Sequence, residues 1–325
     1  KLTKTKYLQF GATFHGNMAA DVSDTGENGV PVGFDVTRMY LTLKSDICDW
    51  LSTRTTLDFG RYEVDEHKPL LGYIKYAYFD LKPVSGTTLR LGQQGTSWVG
   101  LIDNLFGYRY VTKSATDHFK YMSSSDLGFS ILGNYFNGLL DFQVGLYNGV
   151  GYKDPAPEGA GLDNLMYEAR VSLRPFAGFD NAASNLAAHL IANTNSDDSE
   201  TGEERTTEVG GAISMQHEYF DAVFEVISRM NDAEGYESEL LFSPYLALKY
   251  KGFALFGTYG SAMNKNDTAK NTWTHLVAGV SYTPIKMFSA AVDFQEDKGN
   301  KWEDSTDRKI MLNTFGDEWH LETYS

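Results

Sequence analysis

The chain alternates. From Thr37 to Lys44, the side Thr37, Met39, Leu41 and Leu43 interleaves with Arg38, Tyr40, Thr42 and Lys44. From Leu51 to Phe59, Leu51, Thr53, Thr55, Leu57 and Phe59 interleave with Ser52, Arg54, Thr56 and Asp58. The same pattern runs through Leu165–Arg174 and Phe288–Gln295. A period of two residues cannot build one apolar helix face, so it predicts strands. No amphipathic helix longer than about two turns is expected.

Sixteen strand segments follow: 4–15, 34–44, 50–62, 70–82, 87–95, 126–136, 138–149, 163–175, 185–194, 205–217, 219–230, 240–251, 252–262, 271–283, 287–297 and 306–315. Links after even strands are short, 176–184 excepted, and links after odd strands are mostly long. Strict alternation of this kind sends the two ends of a sheet to different surroundings. It predicts an all-β fold, a 16-stranded antiparallel transmembrane β-barrel with short periplasmic turns and long external loops. Aromatics gather beside the short turns (Trp50, Phe136, Phe179, Tyr219, Tyr250, Phe253, Tyr282 and Phe288 among them), as an interfacial belt would require. The barrel is expected over 1–315, followed by a C-terminal tail at 316–325 that has no evident role.

Composition then changes the picture. Mean hydropathy is −0.35 and no run of 18 apolar residues exists, which excludes a helical membrane span but not a barrel, where only alternate residues meet lipid. A net charge of −15 argues against a nucleic-acid partner. A single cysteine, Cys48, excludes a disulfide framework or a cysteine-based metal cluster, and no cofactor is expected. No signal peptide opens the chain at Lys1, and a mature exported protein is expected to have lost it. Negative charge concentrates in loop segments such as Asp197 to Glu204 and Asp232 to Glu239, where no EF-hand pattern occurs.

Sixteen strands leave an aqueous channel unless something narrows it. The connection 96–125 is the longest, and it mixes aromatics with charge. It is expected to fold into the lumen as the constriction, presenting Asp103, Arg109, Lys113 and Lys120. Strand parity selects the pore wall: Arg38, Arg54, Lys75 and Arg90 from early strands, Arg170 and Arg174 from the eighth, with Asp58 and Glu168 as carboxylates. Strands between 205 and 230 add more acid, which predicts a transverse field with a basic side favouring anions. The seven histidines are scattered, none at ligand spacing to another along the chain, and His189 reads as a lumen residue.

Asp126-Leu-Gly-Phe-Ser-Ile-Leu-Gly133 and Phe142-Gln-Val-Gly-Leu-Tyr-Asn-Gly149 resemble the phosphate-selective porin O/P family. Leu89-Arg-Leu-Gly-Gln-Gln94, Tyr167-Glu-Ala-Arg-Val-Ser-Leu-Arg-Pro175 and Phe34-Asp-Val-Thr-Arg-Met-Tyr-Leu-Thr-Leu43 extend the resemblance over about 34–175. It implies a trimeric bacterial outer-membrane porin with lumen arginines that guide anions. Arg38, Arg90, Arg170 and Arg174 fall within the similar segments. The chain departs from the family in its compact loops and in lacking a dense run of arginines in 96–125. The expected function is passive diffusion of small hydrophilic solutes and ions, with weak anion preference and no catalysed reaction. Expected partners are outer-membrane lipid, lipopolysaccharide and two further copies of the chain. The competing expectations are a barrel scaffold around a periplasmic or redox partner, and a barrel enzyme.

Overall fold

A computed structural model describes residues 7–22, 31–61, 69–153, 164–179, 182–196, 205–232, 238–264, 272–299 and 306–316. Among these residues sixteen antiparallel strands close into one barrel. They are β1 (Tyr7–Asp21), β2 (Val32–Cys48), β3 (Leu51–Arg61), β4 (Leu70–Val84), β5 (Thr87–Gly95), β6 (Ser125–Tyr135), β7 (Leu140–Tyr147) and β8 (Met166–Leu173). Then follow β9 (Leu186–Ser196), β10 (Arg205–Gln216), β11 (Phe220–Asn231), β12 (Glu239–Tyr250), β13 (Phe253–Asn264), β14 (Thr272–Ile285), β15 (Phe288–Lys298) and β16 (Thr306–Gly316). Each pairs with its sequence neighbours, and β1 meets β16 in a register that sets Phe14 opposite Gly316 and Asp21 opposite Lys309. All sixteen expected strands are present. The largest difference is β1, which runs on to Asp21 because its far half pairs with both β2 and β16. The tail beyond Gly316 and the acidic run 197–204 lie outside the described residues.

Burial is inverted relative to a water-soluble domain. In β8 the side chains alternate strictly, with Glu168, Arg170 and Ser172 buried and Tyr167, Val171 and Leu173 exposed. Leu91, Leu190, Ile213, Leu255 and Val292 are likewise exposed on the outer wall. Polar groups inside and apolar groups outside is the arrangement a lipid surround demands.

The short turns are built tightly. Lys251 and Gly252 both take positive φ, 48° and 83°, the left-handed pair that matches strand twist in a two-residue hairpin. Beside these turns Trp50, Phe136, Phe179, Tyr219, Tyr250 and Phe253 are exposed, and Phe253 stacks on Tyr282 at 4.3 Å. The rings therefore mark one rim of the barrel, as amphipathic side chains at a lipid–water boundary do.

The longest connection carries regular structure of its own. Within 96–125 lie two helices, α1 (Val99–Phe106) and α2 (Ala115–His118). Val99, Ile102, Leu105 and Phe106 form a buried stripe along α1, a spacing that fits one helix face. This segment supplies about half of the buried apolar cluster, and the strands it packs against supply the rest.

Candidate functional site

The 96–125 segment lies inside the barrel against the wall formed by β11 to β15. Its seat is polar at the ends and aromatic in the middle. Trp98, fully buried, donates its indole N–H to Glu225 Oε1 at 2.6 Å, and the Thr116 hydroxyl donates to the same oxygen. The Ser97 backbone N–H donates to Glu168 Oε1 at 2.5 Å. Between these anchors Tyr108 stacks on Phe256 at 4.2 Å, Phe106 meets Tyr245 edge-on at 4.9 Å, and Gln295 donates to the Val111 carbonyl. Near the segment's exit, Arg229 donates to the Lys120 carbonyl at 2.8 Å and lies 4.0 Å over the Tyr121 ring. Each buried ring contributes on the order of 4–6 kcal/mol of burial before ordering costs, taking roughly 150–250 Å² apiece.

Seating the segment there redraws the expected field. The acid expected from strands between 205 and 230 includes Glu208 and Glu225; these, Glu168 and Asp293 lie on the lumen side and are buried. They do not form a free acidic wall. Glu225 and Glu168 receive donors from the segment, Glu208 pairs with Arg229 at 3.0 Å, and Asp293 accepts from Gln295 and Asn313. The acidic side is thus covered or paired, which the parity of a strand cannot reveal.

The basic side is organised by tyrosines. Arg38 and Lys75 both donate to the Tyr40 hydroxyl at 3.0 Å, and Arg38 lies 3.5 Å from Asp58. Lys75 sits at an irregularity in the β3–β4 register, where Thr56 faces Tyr76 and Leu57 faces Ile74. The extra residue puts Lys75 and Tyr76 side by side, with the ammonium 5.8 Å from that ring. Arg54 lies over Tyr76 at 4.5 Å. Arg90 lies over Tyr78 at 4.0 Å and forms a two-pronged pair with Asp80 at 2.7 and 2.8 Å. Arg170 pairs with Asp141 at 2.5 Å, and Arg174 reaches toward the Gly138 carbonyl at the short-turn rim. These two and Arg90 stand apart from the group around Arg38.

Around a cavity of about 590 Å³ the structure brings together Arg38, Arg109, Lys113, Lys120, Lys153 and Arg229, with Asp117 and Glu208 as the carboxylates. Six cationic side chains and two carboxylates line the cavity, while Asp58, Asp103 and Glu239 pair with Arg38, Arg109 and Arg229 from behind. Arg109 bridges Asp103 at 3.2 Å and Asp117 at 3.0 Å, and Lys113 approaches Asp117 at 3.4 Å. Burial alone would raise the Asp117 carboxyl, but Arg109 and Lys113, with Arg38 and Lys75 behind them, hold it below the ordinary carboxylate value. Burial lowers the Lys113 ammonium, Asp117 opposes that, and Arg109 and Arg38 reinforce it. Cations that discourage one another's charge mark a region of positive potential.

Of the expected site residues, Arg38, Arg109, Lys113 and Lys120 meet at this cavity, with Asp58 and Lys75 beside Arg38. Arg54 belongs to the same wall, Asp103 supports Arg109 from α1, and Glu168 lies beneath the segment. Lys153 and Tyr40 were missed as members. Tyr40 shares the parity of Arg38, so its place was available from the alternation. His118, His275 and Asp297 were also missed. They converge from α2, β14 and β15 although the sequence separates them widely.

No protein-family model matches the chain, and no curated protein matches its sequence. Solved structures do share its fold. The anion-selective porin from Comamonas acidovorans superposes with a TM-score of 0.67 at 11% identity, over 95% of this chain and 99% of that one. OmpF of Salmonella typhi gives 0.67 at 12% identity, over 96% and 97%. Outer-membrane OmpT of Vibrio cholerae gives 0.66 at 13% identity, over 98% and 99%. The chain has the fold of bacterial outer-membrane porins.

Proposed function

We propose that this protein is a porin of the bacterial outer membrane that lets small hydrophilic solutes and ions diffuse passively, with a weak preference for anions. The observation that carries the reading is the cavity between the 96–125 segment and the early strands, where six cationic side chains meet two carboxylates. Fixed positive charge raises the local concentration of anions and lowers that of cations. In this reading the segment is the constriction, Arg109 and Lys113 form its charged edge, and Arg38 and Lys75 form the opposing wall. No reaction is assigned to the protein.

The anion-selective neighbour supports the sign of the preference. A homotrimer is supported by the trimer form of the Vibrio cholerae protein of the same fold, and outer-membrane lipid and lipopolysaccharide are its proposed surroundings. A scaffold around a second protein is not favoured, because the chain's own segment occupies the interior.

Planar-bilayer recording in a salt gradient tests the proposal. Wild-type protein should show stepwise conductance and a reversal potential on the anion side of zero. Arg109→Glu combined with Lys113→Glu changes the lining by four charges and should move the reversal potential toward cations. An absence of steps would overturn the porin reading, and an unmoved reversal potential would overturn the placement of the selective charge.

A further inference from the structure

His118 on α2, His275 on β14 and Asp297 on β15 bring three metal-ligating atoms within 4.8 Å of one another. His118 Nε2 lies 3.1 Å from Asp297 Oδ1, and His275 Nδ1 lies 2.6 Å from the same oxygen. The two imidazoles stack at 3.8 Å with 19° between their planes, and each sets one nitrogen beside the same carboxylate oxygen, so holding one ion between them requires His118, 26% exposed, to turn its ring out of the stack. The other nitrogen of His275, Nε2, is 2.9 Å from Thr112 Oγ1. Without an ion, Nδ1–H donates to Asp297; with an ion bound, the Thr112 hydroxyl can accept a hydrogen bond from Nε2–H and leave the Nδ1 lone pair for the metal. Histidine ligands commonly carry such a partner on their second nitrogen.

We propose that His118, His275 and Asp297 form a binding site for a divalent transition-metal ion of the zinc, cobalt or nickel class, one that fastens the 96–125 segment to the barrel wall. Two imidazoles and one carboxylate suit these ions better than calcium or magnesium, which favour oxygen ligands. With metal–ligand distances near 2.0–2.2 Å, a tetrahedral ion separates its ligand atoms by about 3.3 Å. The 3.1 Å pair already has that separation. The 2.6 Å pair requires Asp297 to withdraw by roughly 0.7 Å, which its 43% exposure permits. The same exposure leaves water free to complete the coordination. Asp297 stands near the long-loop end of β15, so an ion can enter from that mouth. The site does not depend on the porin reading.

The test is calorimetric titration of zinc chloride into the folded, chelator-stripped full chain in detergent at pH 7.5, with cobalt absorption as a second signal. One ion per chain should bind, with the visible spectrum of a four-coordinate nitrogen–oxygen site. His118→Gln and Asp297→Asn should each weaken binding at least tenfold, while His217→Ala, at an exposed turn, should bind like the wild type. Because a variant can lose its fold, zinc should also slow carbethoxylation of His118 in the unaltered protein, read by mass spectrometry. No binding, binding unchanged in folded His118→Gln and Asp297→Asn, or unprotected His118 would each overturn the proposal.

Discussion

Glu225 is the hinge on which the internal segment's position turns. Its Oε1 accepts the Trp98 indole N–H at 2.6 Å and the Thr116 hydroxyl, at a side chain only 1% exposed. Glu225→Leu keeps the approximate volume and removes both bonds. Each donor stranded without a partner costs about 1–3 kcal/mol, so the seated segment should lose roughly 2–6 kcal/mol. Every 1.4 kcal/mol is a tenfold change in an equilibrium, so even the lower figure raises the unseated population about thirtyfold. Single-channel recording should then show flicker or added conductance levels in Glu225→Leu, against steady steps in the wild type. Glu225→Gln keeps a carbonyl acceptor and should fall between the two. A triple variant that also carries Trp98→Phe and Thr116→Val removes the stranded donors together with their acceptor, and it should recover much of the steadiness. The reasoning fails if folded Glu225→Leu conducts in steps indistinguishable from the wild type.

The backbone supplies two further expectations. Gly92 has φ +124° and a Cβ there would stand 2.3 Å from the Ala77 carbonyl oxygen, so Gly92→Val should sharply reduce the yield of heat-modifiable folded barrel in a refolding assay. Gly100, inside α1, has nothing within 4 Å of its would-be Cβ, and Gly100→Ala should leave that yield intact while stabilising the helix by about 0.5–1 kcal/mol. The lowered Lys113 ammonium gives a pH signature: its positive charge is lost below the ordinary lysine value of 10.5, so anion preference should weaken as pH rises from neutral toward that value. Lys113→Met should remove that part of the pH dependence of the reversal potential.

Much of this molecule is legible from alternation alone. A strand with lipid on one side and water on the other has only two kinds of position, so parity alone assigns Arg38, Glu168 and Glu225 to the interior. Loop length likewise singled out 96–125. What parity cannot show is what covers an inward-facing residue. Glu225 read as part of an acidic side and Glu168 as a pore-lining carboxylate, yet the segment's own donors sit on both, a contact set by tertiary packing across the barrel. The stripe Val99, Ile102, Leu105 and Phe106 was a readable helix signal within the longest connection. The His118–His275–Asp297 cluster left no local trace, since its members come from three separate elements.

The pairing scheme bears on how such a molecule is assembled and how it can change over long times. Among the described residues, fifteen of the sixteen seams join strands adjacent in sequence, and the β1–β16 seam joins the first strand to the last. Local hairpins close small loops and form early, whereas a contact of large sequence separation carries the greatest entropy cost and comes last. Until that final seam forms, β1 and β16 each expose an unsatisfied edge, the surface most prone to pairing with the wrong chain. Damage to the last strand should therefore stall a nearly finished sheet rather than prevent its start. By the same logic, a hairpin inserted anywhere in the row enlarges the ring without disturbing the order of its neighbours.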